Sequence, residues 1–182
     1  MLSEPKLDEI INGARGMKVG IKKCMESECL VSAVTLIYSS IDAMAALYRD
    51  NPTDETNRNL FIEWSNKYLL PELSGYEISG VDLYSSRCSL VHKYSMDSKL
   101  SISRKAKRII YVWDEFPFVG IKLKIDDVMM SVNDLHSAYS VGINQFVEDV
   151  AFSEPAFSEK IINNLEGMFL YKPYGNAQVL VA

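Results

Sequence analysis

Residues 30–48 read L-V-S-A-V-T-L-I-Y-S-S-I-D-A-M-A-A-L-Y, the most apolar run in a chain of 182 residues. Two readings compete for such a run, a membrane span or a helix at the centre of a globular bundle. A span needs about 20 consecutive apolar residues, and a carboxylate at its middle costs roughly 3 kcal/mol. This run is interrupted by Ser39, Ser40 and Asp42 and is bounded by Glu28 and Arg49. It therefore predicts a buried core helix over about residues 27–49, and with it a fold that is mainly all-α.

Working outward toward the N-terminus, Ser3, Glu4 and Pro5 form a helix start, with a hydroxyl to cap and a proline in the first turn. Leu7, Ile10, Ile11, Ala14 and Met17 follow at helical spacing, which predicts a first helix over residues 4–25. Gly13, Gly16 and Gly20 fall on it every third or fourth residue and are assigned to close helix packing.

In the other direction, Asn51-Pro52-Thr53-Asp54 is a turn, after which Leu60, Phe61, Trp64, Tyr68 and Leu69 predict a third helix that Pro71 stops. Residues 72–80 read as a loop leading into a fourth helix over residues 81–94. Residues 108–113 and 120–125 alternate β-branched and aromatic residues with charged ones around Glu115-Phe116-Pro117-Phe118, the pattern of a small β-hairpin. From Asp126 an apolar stripe through Val128, Met129, Val132, Leu135, Ala138, Tyr139, Ile143, Phe146 and Val150 predicts a long helix up to Ser153-Glu154-Pro155. A last short helix ends near Gly167. The expected organisation is one domain over residues 1–182, with a core bundle about 4–95, a hairpin about 108–125 and C-terminal helices about 126–167.

Composition agrees with a folded chain, since 48% of residues are hydrophobic and 24% charged. Cys24, Cys29 and Cys88 are neither an even set nor a Cys-x-x-Cys pair, so neither a disulfide framework nor a zinc site is expected. Glu4 and Pro5 stand where an export signal would carry basic and then apolar residues, so a cytoplasmic location is expected. The net charge of −5 argues against a wholesale nucleic-acid binder, but charge is unevenly spread. Residues 79–108 hold Arg87, Lys93, Lys99, Arg104, Lys105, Lys107 and Arg108 against Asp82 and Asp97, a local excess of five positive charges in an otherwise acidic chain.

Inside that segment, residues 87–94 read R-C-S-L-V-H-K-Y. Arg87, His92 and Tyr94 thus stand as Arg, four residues, His, one residue, Tyr, a spacing that random placement of this composition yields in roughly four chains per thousand. Cleaving RNA without a metal needs a group that takes the ribose 2′-OH proton and a cation that steadies the phosphate. Histidine titrates near neutral pH, and arginine presents a permanently charged planar fork. At about 100° per residue, however, the two side chains leave the helix roughly 140° apart and do not share a face.

The spacing resembles the RxxxxHxY motif of the HEPN ribonuclease-toxin family, and a helical bundle suits that family. The resemblance covers mainly residues 27–95. It implies a metal-independent endoribonuclease without a cofactor, of the kind found in toxin–antitoxin and defence systems. It further implies a homodimer in which motifs from two subunits line one cleft. Arg87 would stabilise the scissile phosphate and His92 act as base or acid, while Lys93, Arg104, Lys105, Lys107 and Arg108 would hold the RNA backbone. Tyr94 would be a site of nucleotidylation by a partner antitoxin. Many members carry Asn or Asp directly after the arginine, where this chain has Cys88.

Each residue also has a plainer role open to it. His92 could be a hydrogen-bonded histidine at a helix interface, Arg87 an ion-pair partner of Asp42 or Asp82, and Tyr94 part of the core. Asp42 would either orient His92 or pin two helices together. His136 has no motif around it and is taken as structural. The alternative reading of the whole chain is a non-catalytic HEPN-like module that dimerises or binds a nucleotide or protein.

Overall fold

The computed structural model describes residues 5–55, 57–113, 122–165 and 168. The decisive run forms α3, Leu30–Ala46, and it lies at the centre of the core. Ile37, Tyr38, Ile41 and Met44 are fully buried along it. The three polar residues that interrupt it are provided for: the Ser40 hydroxyl meets the Tyr139 hydroxyl at 2.6 Å, Ser39 donates to the Thr35 carbonyl at 2.9 Å, and Asp42 pairs with Arg87. A buried polar atom without a partner would cost about 1–3 kcal/mol, so these bonds let an interrupted apolar run pack as a core helix.

The expected first helix is two helices, α1 at Pro5–Asn12 and α2 at Met17–Glu26. The glycines divide it. Gly16 donates to the Gly13 carbonyl at 2.7 Å, closing a turn in which a Cβ on Gly13 would lie 2.4 Å from the Glu9 oxygen. A Cβ on Gly16 would lie 2.8 Å from the Ile11 oxygen. The apolar spacing continues across the break, which is why a pattern search runs through it.

Asn57 caps α4, Arg58–Trp64, accepting from the Asn59 and Leu60 amides. The chain then continues through a π-turn at Ser65–Leu69 and a 3-10 turn at Leu70–Leu73 that contains Pro71. Next come α5 at Gly80–Lys93 and a short α6 at Lys99–Ile102, which the sequence reading did not anticipate. Two strands follow, β1 at Ile109–Val112 and β2 at Val128–Ser131, then α7 at Val132–Phe152 and α8 at Pro155–Leu165. Gly167 and the Glu115–Phe118 stretch lie outside the described residues.

The β element is small but is not a hairpin. β1 and β2 run parallel, with Ile109 opposite Val128 and Val112 opposite Ser131. Parallel partners need a crossover of a dozen or more residues, and 15 residues separate these strands. Residues 122–127, expected to be strand and helix start, belong to that crossover. The long helix begins only at Val132, where the Ser131 hydroxyl accepts from the amides of Asn133 and Asp134.

Buried side chains from Leu7 to Leu165 join in one hydrophobic cluster, within which Trp64, Tyr68 and Phe146 meet in tilted and edge-on ring contacts. No helix among the described residues is long and apolar enough to cross a membrane. α7 and the π-turn approach closely, and a Cβ on Gly142 would lie 2.2 Å from the Tyr68 carbonyl oxygen. A Gly142→Ala protein must separate two backbones. We expect it to lose about 1–3 kcal/mol or more, read as a lower urea midpoint at unchanged slope. A midpoint equal to wild type would contradict this packing.

Candidate functional site

The motif helix is fixed at both ends. At its start Ser79 and Asp82 form a capping box: the Ser79 amide donates to Asp82 Oδ2 at 2.8 Å, and the Asp82 amide donates to Ser79 Oγ at 3.4 Å. Asp82 Oδ1 also accepts from the Lys107 amide at 2.5 Å, which ties the helix to the chain entering β1. Gly80 lets α5 approach α4, since a Cβ there would lie 3.0 Å from Ile62 Cγ2 and 3.2 Å from the Ile62 carbonyl oxygen. On the buried side Leu83, Ser86 and Ser89 face the core.

At its end the helix is stopped by Tyr94, which adopts a left-handed conformation with φ 48° and ψ 42° and returns its amide to the Leu90 carbonyl at 3.0 Å. Glycine is the usual residue in that position, because a Cβ makes the left-handed region cost about 1–2 kcal/mol. Tyr94→Gly is therefore expected to raise stability by about 0.5–1 kcal/mol in a denaturant titration. A loss instead would mean that the tyrosine ring contributes packing. Local strain kept at an exposed residue beside Arg87 and His92 is the kind of feature that marks functional positions.

Between these ends Arg87 Nε donates to Asp42 Oδ2 at 2.6 Å, joining α5 to α3. Its NH1 lies 3.0 Å from His92 Nε2. The two residues therefore meet within one chain, contrary to the expectation from their angular separation. Helical angles locate Cα–Cβ bonds, and the four-torsion side chain of Arg87 spans the remaining gap around the last turn. A guanidinium can only donate, so in this contact His92 Nε2 is the acceptor, which places the imidazole proton on Nδ1.

Burial pushes the Asp42 carboxyl up from its ordinary value, and the hydrogen bond and charge of Arg87, with a smaller pull from His92, only partly oppose it. Burial works against the Arg87 charge as well, but the hydrogen bond and charge of Asp42 outweigh it and raise its pKa. Arg87 thus stays charged, and half of its donor fork is taken. NH1 also lies 3.9 Å from Cys88 Sγ, a weak contact. Asp42 touches Arg87 rather than His92, so it positions the histidine only through the arginine. Arg87 is mostly covered, with 20% of its side chain exposed, whereas His92 is exposed.

No protein-family model, curated protein or solved structure matches this chain. The functional reading therefore rests on the geometry of residues 87–94 and on what surrounds them.

Of the other expected site residues, Lys93 and Tyr94 are exposed at the end of α5, and Tyr94 is 70% exposed rather than in the core. Arg104 and Lys105 are exposed after α6 and line an open cavity of about 680 Å³ with Lys107 and Lys124. Lys107 is partly committed, its ammonium donating to the Glu77 carbonyl at 2.6 Å.

Arg108 lines the same cavity, but its charge is committed within the fold. It is buried, donating from Nε to Asp127 Oδ1 at 2.9 Å and from NH2 to Asp127 Oδ2 at 2.5 Å and to the Lys122 carbonyl at 2.9 Å. Counting charges along the sequence cannot see that an acid 19 residues later has already claimed it. The basic cavity includes Asp82, ten residues before His92, so it lies about 15 Å along α5 from the histidine. His136 is half-buried on α7, and burial alone lowers its pKa. Among the described residues, no group of His, Cys, Asp and Glu has the arrangement of a metal site.

Proposed function

We propose that this chain is a metal-independent endoribonuclease of HEPN type that works as a cytoplasmic homodimer in a toxin–antitoxin or defence system. The observation that carries the proposal is the Arg87–His92 contact at the exposed end of α5. It joins a permanent cation to the acceptor nitrogen of an exposed imidazole. His92 Nε2 exchanges its contact with Arg87 for the proton of a ribose 2′-OH, and the 2′-oxygen attacks the adjacent phosphorus. The bond to the departing 5′-oxygen breaks and that oxygen takes up a proton, leaving a 2′,3′-cyclic phosphate. The free donors of Arg87 stabilise the charge that builds on the phosphate oxygens.

Arg104, Lys105 and Lys124, in the cavity toward the start of α5, hold the RNA backbone on one side of the scissile bond. The exposed Tyr94 hydroxyl is the group a partner antitoxin would nucleotidylate, its oxygen displacing pyrophosphate from a nucleoside triphosphate.

A second reading has its own observation. The 2.6 Å bond from Arg87 to Asp42 joins two helices whatever else the arginine does, and that favours a non-catalytic binding module. Incubation of a mixed single-stranded and structured RNA pool with the purified protein in excess EDTA separates the two. Cleavage that leaves cyclic phosphate ends, and that His92→Ala abolishes, supports the nuclease. Intact RNA in every lane overturns it in favour of the binding module.

A further inference from the structure

A second cavity, of about 230 Å³, opens between the N-terminal turns of α3, the C-terminal turns of α5 and β1. Val34 and Leu90 form its apolar walls, and Tyr94, Met96 and Trp113 stand at its mouth. These three are 70%, 43% and 39% exposed, an unusual concentration of large apolar side chains at one opening. In its floor the Ser86 hydroxyl bonds the Tyr111 hydroxyl at 2.9 Å, and Tyr111 in turn bonds Tyr38. The floor hydroxyls are therefore mutually satisfied, and an occupant is selected by shape and π-surface rather than by a demanded hydrogen bond.

Three features decide what fits. The volume is below the roughly 300–1,000 Å³ of sites that enclose a drug-sized molecule, so the cavity takes one flat ring system rather than a whole nucleotide. The mouth is aromatic, and bases removed from a helix stack on aromatic side chains with little regard to sequence. The adjoining stretch of α5 carries positive charge, because Arg87 and Lys93 lie between two residues that line the cavity, Ser86 and Tyr94. These two are eight residues apart, about 12 Å along the helix, so Arg87 and His92 belong to the length of α5 that borders the cavity.

We propose that this cavity is a nucleobase subsite, which receives the base of a nucleotide whose sugar-phosphate lies against Arg87 and His92. The inference rests on the ribonuclease reading for its biological use, but base binding can be measured without cleavage.

The chain carries its own reporter, since of its two tryptophans Trp64 is fully buried and Trp113 stands at the cavity mouth. Titration of the full chain with adenosine 5′-monophosphate is expected to quench tryptophan fluorescence saturably. Ribose 5-phosphate, which has no base, is expected to leave it unchanged. Tyr94→Phe keeps the ring and should bind as wild type, and Tyr94→Ala should bind about five- to a hundredfold more weakly.

Equal affinity for ribose 5-phosphate would overturn the subsite in favour of a bare phosphate site. No saturable quenching, or an unchanged affinity in Tyr94→Ala, would also overturn it. RNA cleavage without base binding removes the subsite and leaves the nuclease standing. Base binding by a wild type that cleaves nothing removes the nuclease and leaves the subsite.

Discussion

An Arg108→Ala protein is expected to lose about 3–5 kcal/mol of folding stability, the usual consequence of stranding one member of a buried ion pair. Asp127 would be left with 3% of its side chain exposed and without the fork that neutralises it. The damage is not confined to one pair, because Arg108 also donates to the Lys122 carbonyl and Asp127 accepts from the Lys124 amide at 2.6 Å. Together these bonds fix the end of the crossover that brings β2 alongside β1. Removing both charges with Arg108→Met and Asp127→Leu should restore most of the loss, since a well-packed apolar pair often replaces a buried ion pair at little cost.

The sign of the pH dependence follows from the same contact. The hydrogen bond from Arg108 holds the Asp127 carboxyl below its ordinary value, with the Lys124 amide adding to the effect against the opposing cost of burial. A depressed carboxyl contributes stability that is present above its unfolded value, near pH 4, and is lost as pH falls through the lower folded value. Urea midpoints should therefore drop on acidification through that window, and less so in Asp127→Asn. A midpoint in Arg108→Ala equal to wild type at neutral pH would show that the pair contributes nothing net. That result would return Arg108 to the pool of cations available for RNA.

The contrast between Arg108 and its neighbours shows what the sequence could and could not say. α3, α5 and α7 were legible from the apolar spacing and the breaks around them, although α7 starts at Val132 rather than Asp126. The break at residues 13–16 was not, because the apolar stripe passes through the two glycines without a change of phase. β2 was read as the start of a helix because Val128, Met129 and Val132 satisfy a helical stripe as readily as a strand, and only pairing with β1 decides between them. Parallel pairing across 15 residues is a tertiary fact with no local signature.

The site divides in the same way. Asp42 was legible because a carboxylate in an apolar helix demands a partner, and Arg87 was among the partners named for it. That Arg87 reaches His92 was not legible, since the torsions of a long side chain are set by neighbours. The aromatic cavity had no sequence signal beyond the strand pattern of Tyr111 and Trp113. It arises where α3, α5 and β1 converge.

On the proposed mechanism, His92→Ala should lower RNA cleavage by about 10²- to 10⁴-fold, the contribution typical of a positioned general acid or base. The loss should come with little change in stability, because His92 is exposed. Arg87 needs a different substitution. Arg87→Ala would leave Asp42 half-buried without its partner, so it would mix a folding defect into the measurement. Arg87→Lys keeps the charge for Asp42 but removes the planar fork that joins Asp42, His92 and the phosphate, and should cost about 10²-fold or more. The double variant decides whether the two act as one unit. If Arg87 and His92 serve the same transition state, the combined loss should be close to the larger single loss rather than the product of the two. Single-turnover rates on one defined RNA, in EDTA and with thermal unfolding followed in parallel, supply that comparison. Multiplicative losses would separate the residues into independent roles, and variants that cut as fast as wild type would reduce their 3.0 Å contact to a helix-end hydrogen bond.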